Sequence, residues 1–332
     1  MCQGKPLVSI VIPAYNAERY IEGCIQSILN QSFALFEIII VDDGSLDSTS
    51  ELCDELSKRD CRVIAFHKVN GGATSARRFG VEKARGEWIM FVDADDTMPS
   101  GALNDLLDHN DGKSDIIAGT ILYKTRNRVI KTVSDSSIID PQVYIRLLLS
   151  RQTYFGPCSK LIKRSLFDGL KWNDDPQLFQ NEDLLMLVLL SVKCTQHISI
   201  SNDYVHYICE DKAGSMSTRH MSYEGWKMLF CELRETIRGV ADTTSELFAS
   251  YVNYTIWNIY DCLLTQAINI PQDQFLKKLI EDSKNVIVEE KNVKVLALLS
   301  KPTRRVIFCK YRWIRMSAKR ILGHIIKLDK CF

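Results

Sequence analysis

The chain has 332 residues, 46% of them hydrophobic and 25% charged, with a formal net charge of +1. That is a globular composition long enough for a large core, either one domain plus an appendage or two domains. No overall field marks a nucleic-acid binder, and there is no internal repeat or low-complexity segment. The 11 cysteines are odd in number. They include no C-x-x-C pair and no Cys/His set at zinc spacing, so they read as mostly free buried thiols in a reducing cytoplasm.

Lys5 and Pro6 lead straight into the first apolar run, so no secretory signal is expected. Leu184–Leu190 is the longest apolar stretch, about a third of the ~18–20 residues that a membrane-spanning helix needs. It reads as a core helix.

Leu7–Ile12 is expected to form a strand that ends at Pro13. Residues 17–30 repeat Tyr20, Ile21, Cys24, Ile25, Ile28 and Leu29 at helical spacing, one face of a helix. Phe36–Val41 is a second strand, and Thr49–Arg59 a helix with Asp47 or Ser48 as N-cap. Arg62–His67 is a third strand, Asn70-Gly71-Gly72 a turn and Ala73–Ala84 a helix. Trp88–Val92 is a fourth strand. Four short apolar strands alternating with helices predict a doubly wound, mostly parallel α/β sheet with flanking helices.

Past residue 100 the rhythm changes. A helix is expected over Gly101–His109, strands over Asp115–Tyr123 and Val129–Val133, and a helix over Pro141–Ser150. Asn181-Glu182-Asp183 opens an apolar helix, and His197–Ile200 and Tyr204–Tyr207 read as late strands. From Tyr223 the chain reads as helical. The domains expected are 1–220 for the α/β sheet and 221–332 for a helical region.

Two acidic clusters follow buried-type strands: Asp42-Asp43-Gly44-Ser45 and Asp93-Ala94-Asp95-Asp96. In open α/β sheets ligands bind beyond the carboxyl ends of such strands. Like charges gathered there need a positive partner between them. Asp93 and Asp95, alternate residues of an extended segment, would converge on one ligand. Their hard oxygens suit Mg²⁺ or Mn²⁺ carrying a nucleotide diphosphate.

The segments Val8–Asn16, Val41–Ser45, Asn70–Gly72 with Ala76-Arg77, and Phe91–Asp96 stand in order at the right gaps. Together they resemble glycosyltransferase family 2 over roughly residues 6–220. The resemblance implies the GT-A fold, an inverting mechanism and a nucleotide-sugar donor, most simply a UDP-sugar. Carried over by position, it implies nucleotide-sugar contacts from Pro13, Ala14, Tyr15, Asp43, Arg77, Asp93 and Ala94. Asp95 would ligate the Mn²⁺ or Mg²⁺ cofactor.

Asn181-Glu182-Asp183 is similar to the family's acidic pair at a helix start. This implies Asp183 as the catalytic base and Glu182 as a supporting or acceptor-binding group, since inverting transfer needs a base opposite the leaving diphosphate. His206 and the Gly214–Ser217 segment are similar to the loop that closes over the donor, which places His206 at the metal and Ser215 and Ser217 on the phosphates. There are two departures. Arg78 stands where many members have Asn, and Cys158-Ser159-Lys160-Leu161 lacks the aromatic that usually opens the acceptor-side segment.

The tail carries nine Lys and Arg between Arg304 and Lys330 against the single Asp329. Phe308, Tyr311, Trp313 and Ile314 are interleaved. This basic amphipathic pattern over about 303–332 suits the surface of an anionic membrane, with packing on the protein itself or on a second copy as the alternative. The expected setting is the inner face of the cytoplasmic membrane, with a lipid-linked or growing glycan as acceptor and no nucleic acid. A nucleotidyltransferase or a dinucleotide dehydrogenase would carry a Gly-rich loop after the first strand, where this chain has Pro13-Ala14-Tyr15-Asn16. A non-catalytic sugar-nucleotide scaffold is the remaining rival.

Overall fold

The computed structural model describes residues 4–123, 128–130, 137–173, 175, 177–208, 221–266 and 273–300. The chain divides into two compact units, Met1–Arg219 and His220–Phe332.

The first unit is built on a nine-stranded sheet in the order β3-β2-β1-β4-β8-β5-β9-β7, with β6 paired to β5. β1 (Val8–Ala14), β2 (Phe36–Asp42), β3 (Val63–His67) and β4 (Trp88–Phe91) run parallel. β8 (Lys160–Lys163) is antiparallel to both β4 and β5 (Ile116–Tyr123). β6 (Arg128–Ile130), β7 (Ser137–Ile139) and β9 (Ile198–Ile208) complete the sheet.

Every residue of β2 and every residue of β4 is buried, as expected of strands covered on both faces. Val8, Ile10 and Ile12 of β1, with Ile38 and Ile40 of β2, join one core cluster with α1 (Ile21–Leu29), α2 (Thr49–Arg59) and α4 (Ala102–Leu107). The alternate residues serve the other face. There α3 (Ala73–Lys83) lies so close to β1 that a Cβ on Gly80 would strike the Val11 side chain. α5 (Pro141–Leu149) and α6 (Glu182–Lys193) complete the unit.

Some expectations are corrected. Pro13 does not end β1, because the strand runs on to Ala14 beside Asp42. Proline lacks only the donor of the ladder, and its φ suits an extended strand. α1 starts at Ile21, since Tyr20 has φ −124. β7 was not foreseen. The two late strands are one, β9, with a bulge-like register shift against β5. Cys24, Cys53, Cys158, Cys194 and Cys231 are free thiols, whereas Cys61 is disulfide-bonded.

The second unit contains α7 (Tyr223–Arg238), α8 (Glu246–Gln266), α9 (Gln274–Asp282) and α10 (Glu290–Leu299). Ser222 and Asp273 accept backbone N–H groups at the starts of α7 and α9, satisfying donors the helix cannot. Trp226, Phe230 and Phe275 stack between these helices. Arg234 donates to both oxygens of Asp282. Among the described residues no helix is long and apolar enough to cross a membrane. Residues 301–332, the basic tail, lie outside the described residues.

Candidate active site

Parallel pairing brings the ends of β1, β2 and β4 to one edge of the sheet, with Ala14 beside Asp42 and Val11 beside Phe91. The loops after β1 and β2 are tied together there. Asn16 Oδ1 accepts from Leu46 N, Asn16 N donates to Ser45 Oγ, and Asp43 N donates to Ala14 O. Tyr15 projects from this edge, half exposed.

Asp42 and Asp43 take different partners. Asp42 accepts from Ser45 N and pairs with His67 Nδ1 at 3.0 Å. Burial opposes its ionisation, but the Ser45 and His67 hydrogen bonds prevail and hold it below the usual carboxylate range. The same bond to Asp42, followed by one to Asp54, holds His67 above its ordinary value.

Asp43 accepts from Lys68 Nζ at 2.6 Å and from the N–H groups of Gly71 and Gly72. It thereby clamps the turn before α3. Gly44 has φ +71, and a Cβ there would lie 2.9 Å from Asn70 N, so that turn requires glycine. Sequence reasoning missed His67 and Lys68, because only the pairing of β2 with β3 places them beside the acidic pair.

Arg77 lies in α3 and is only 4% exposed. Its guanidinium forks: Nη1 donates to Asp183 at 2.7 Å and Nη2 to Asp93 at 3.0 Å. Residues 16 and 106 positions away in sequence thus meet on one cation. Burial works against that charge, but the two carboxylates overcome it and hold Arg77 above its ordinary value. Glu182 and Asp183 begin α6, preceded by Asn181 at φ 59. Burial, then the Asp183 charge, pushes Glu182 up to about 7. Burial also raises Asp183, with Arg77 opposing.

Asp93, Ala94, Asp95 and Asp96 do not form the extended segment expected. The N–H of Asp96 closes on the carbonyl of Asp93 at 3.0 Å, so the chain turns directly after β4. Asp93 and Asp95 are half-buried, and Ala94 and Asp96 are buried. His206, on β9, is fully buried and pairs through Nε2 with Asp96 at 2.9 Å, leaving Nδ1 without a hydrogen-bond partner. The carboxylate that holds its ring is therefore that of Asp96. Among the described residues no group of three or more His, Cys, Asp and Glu stands ready to hold a metal ion. Ser215 and Ser217 lie outside the described residues.

The family model for "Glycosyl transferase family 2" matches residues 9–170. Over these residues the chain is similar to glycosyltransferase family 2. It is 43% identical over 119 residues to the uncharacterized glycosyltransferase EpsJ of Bacillus subtilis, covering 36% of this chain and 35% of that protein. It is 29% identical over 223 residues to the glycosyltransferase GlyG of Streptococcus pneumoniae, covering 63% of this chain and 72% of that protein. Against EpsH of B. subtilis it is 38% identical over 49% of each chain. The chain thus spans about a third and a half of the lengths of EpsJ and EpsH.

Among solved structures, Staphylococcus aureus TarS 1–349 is similar with a TM-score of 0.70 at 19% identity, covering 94% of this chain and 91% of that one. The same protein in complex with UDP-GlcNAc is similar with a TM-score of 0.68 at 20% identity, over the same shares of the two chains. The fold is GT-A.

Proposed function

We propose that this chain is an inverting, metal-dependent glycosyltransferase that moves a sugar from a UDP-sugar to an acceptor hydroxyl. The family 2 match supports the class, and the UDP-GlcNAc and UDP complexes of TarS support the donor. The observation that carries the reading is the Arg77 fork, which joins Asp93, beyond β4, to Asp183, at the start of α6. The fork brings a donor-side carboxylate and a candidate base to one place, and a single displacement needs donor and base close together.

In that reaction the acceptor oxygen bonds to the anomeric carbon as the bond to the diphosphate breaks. Asp183 takes the hydroxyl proton, and UDP leaves with the electron pair. A base with a raised pKa holds a proton more strongly once it has taken one, and the helix N-terminus favours a carboxylate at that position. Arg77 orients Asp183 and adds positive charge near the departing diphosphate. In this reading Pro13, Ala14, Tyr15, Asp43 and Ala94 serve the nucleotide, and the resemblance alone assigns Ser215 and Ser217 to the phosphates. Glu182 holds the acceptor.

Asp95 and His206 would hold Mn²⁺ or Mg²⁺. The fit rests on the buried, unpartnered Nδ1 of His206, whose ring Asp96 fixes through Nε2. A carboxylate behind an imidazole is the usual way a ligating histidine is oriented. When bound, the ion would supply charge that stabilises the diphosphate. The names of several relatives, among them the minor teichoic acid biosynthesis protein GgaB of B. subtilis, support a lipid-linked or growing surface polysaccharide as acceptor. The basic tail supports its location at the inner membrane face.

The test is a titration of the purified protein with UDP, GDP and CMP in Mn²⁺ or Mg²⁺, followed by UDP release from UDP-sugars. Asp95→Ala should lose metal-dependent UDP binding. Asp183→Ala should keep binding and lose turnover. Absence of any nucleotide binding would sink the transferase reading and favour the scaffold.

A further inference from the structure

We propose that Lys68 is a specificity-determining residue: its ammonium, held beside the Asp43 carboxylate, donates to O4 of uracil and turns cytosine away. The inference rests on the reading of Asp43 as a nucleotide contact, which it deepens.

Lys68 directly follows β3, at the edge of the sheet where β1 and β2 also end. Its Nζ donates to Asp43 Oδ1 at 2.6 Å and to Val69 O at 2.7 Å. The loops close tightly around it. A Cβ on Gly71 would lie 3.0 Å from Nζ, so glycine there leaves room for the ammonium. Gly44 likewise leaves room for the Lys68 carbonyl, 3.2 Å from where its Cβ would stand. The Lys68 side chain is thus held in place, and it is 18% exposed against 4% for Asp43. A ligand arriving at this edge meets the ammonium first.

The hydrogen-bonding capacity left over defines what that ligand is. An ammonium has three N–H groups, and two are engaged among the described residues. A carboxylate has about four acceptor positions. On Asp43, Lys68 and the N–H groups of Gly71 and Gly72 take three. The pair retains one donor next to one acceptor. Uracil presents the complement, the O4 carbonyl beside N3–H. Cytosine inverts both, because an amino group replaces O4 and N3 becomes an acceptor. It would set N–H against N–H and a lone pair against the carboxylate, a repulsive arrangement that rejects a ligand more strongly than a missing contact does.

The faces of a pyrimidine ring are apolar, and this edge has apolar side chains to meet them. Tyr15, Leu46 and Val69 are 49%, 87% and 89% exposed. Asn16 joins the Tyr15 loop to the Leu46 loop, and Gly44 abuts Asn70, next to Val69. A phosphate fits the pair poorly, because the Asp43 charge would repel it.

The experiment measures binding of the full chain, in Mn²⁺, to UDP, CDP and 4-thio-UDP. The last changes one atom: sulfur, a weaker acceptor, replaces O4. Wild type should bind UDP about fivefold or more tightly than 4-thio-UDP, whereas Lys68→Met should bind the two within about twofold. The preference of Lys68→Met for UDP over CDP should also fall about tenfold. Lys68→Arg keeps a donor and should keep most of both preferences.

A purely structural lysine, or one that holds the diphosphate, would on removal weaken all three ligands by one factor. Preferences unchanged in Lys68→Met would therefore overturn the proposal. A wild type that binds UDP and 4-thio-UDP equally would overturn it with no variant needed. If Lys68→Met fails to fold, Lys68→Gln, shorter and uncharged, carries the comparison. Absence of UDP binding in the wild type would instead refute the UDP-sugar reading, and the inference with it.

Discussion

Replacing Arg77 with methionine removes one cation from between two carboxylates. Met keeps much of the apolar stem of the arginine, so the main loss is charge and its two ion pairs, at 2.7 and 3.0 Å. Breaking a buried pair by deleting one partner costs roughly 3–5 kcal/mol. Here the Asp183 and Asp93 side chains are 25% and 38% exposed, so water replaces part of what is lost, and the expected cost falls to about 2–3 kcal/mol. In urea that lowers the midpoint of the N-terminal unit by on the order of 1 M.

The pH dependence has a definite sign. The folded-state value of Asp183 is already raised, and losing Arg77 raises it further. The added penalty is present in full above that raised value, and it fades as pH falls toward the unfolded value and the carboxyl becomes neutral. The deficit of Arg77→Met should therefore shrink between pH 8 and pH 5. Adding Asp183→Asn removes the stranded charge and should restore about 1 kcal/mol or more, a coupling that a double-mutant cycle reads directly. A deficit under about 0.5 kcal/mol, or one that neither varies with pH nor recovers in the double variant, would refute the fork as the centre of the site.

Gly80→Ala should lower stability by about 1–3 kcal/mol despite the better helix propensity of alanine, because the new methyl meets Val11; unchanged urea unfolding would contradict the close contact of α3 with β1. His67→Gln tests the tie between β2 and β3. The Asp42 hydrogen bond raises His67 above its ordinary value. Its stabilisation is thus complete below about 6.5 and is lost as pH rises through the higher folded value. The melting-temperature gap between wild type and variant should be widest at pH 6 and close toward pH 9, and a gap flat in pH would count against the bond.

The sheet's first half was legible because its signals are local. Unbroken β-branched runs such as Ile38–Val41 read as strands buried on both faces, and the 3.6-residue spacing from Ile21 to Ile28 reads as a helix. β7 and the continuity of β9 were not legible, since a three-residue strand and a register shift depend on the neighbours they pair with. That the acidic clusters after β2 and β4 lie at one edge could be read, because chain order alone puts strand ends at one edge of a parallel sheet.

The partners of those carboxylates could not be read. Lys68 and Gly72 on Asp43, His67 on Asp42 and His206 on Asp96 are contacts between distant segments. Arg77 was visible as part of a motif, but its sharing between Asp93 and Asp183 was not. By itself the sequence determined which residue types are present and which stretches bury themselves, because periodicity and propensity act over a few residues. The tertiary structure alone decided which charges share a site, because charge pairing in a buried cluster depends on distances that only the packed fold sets.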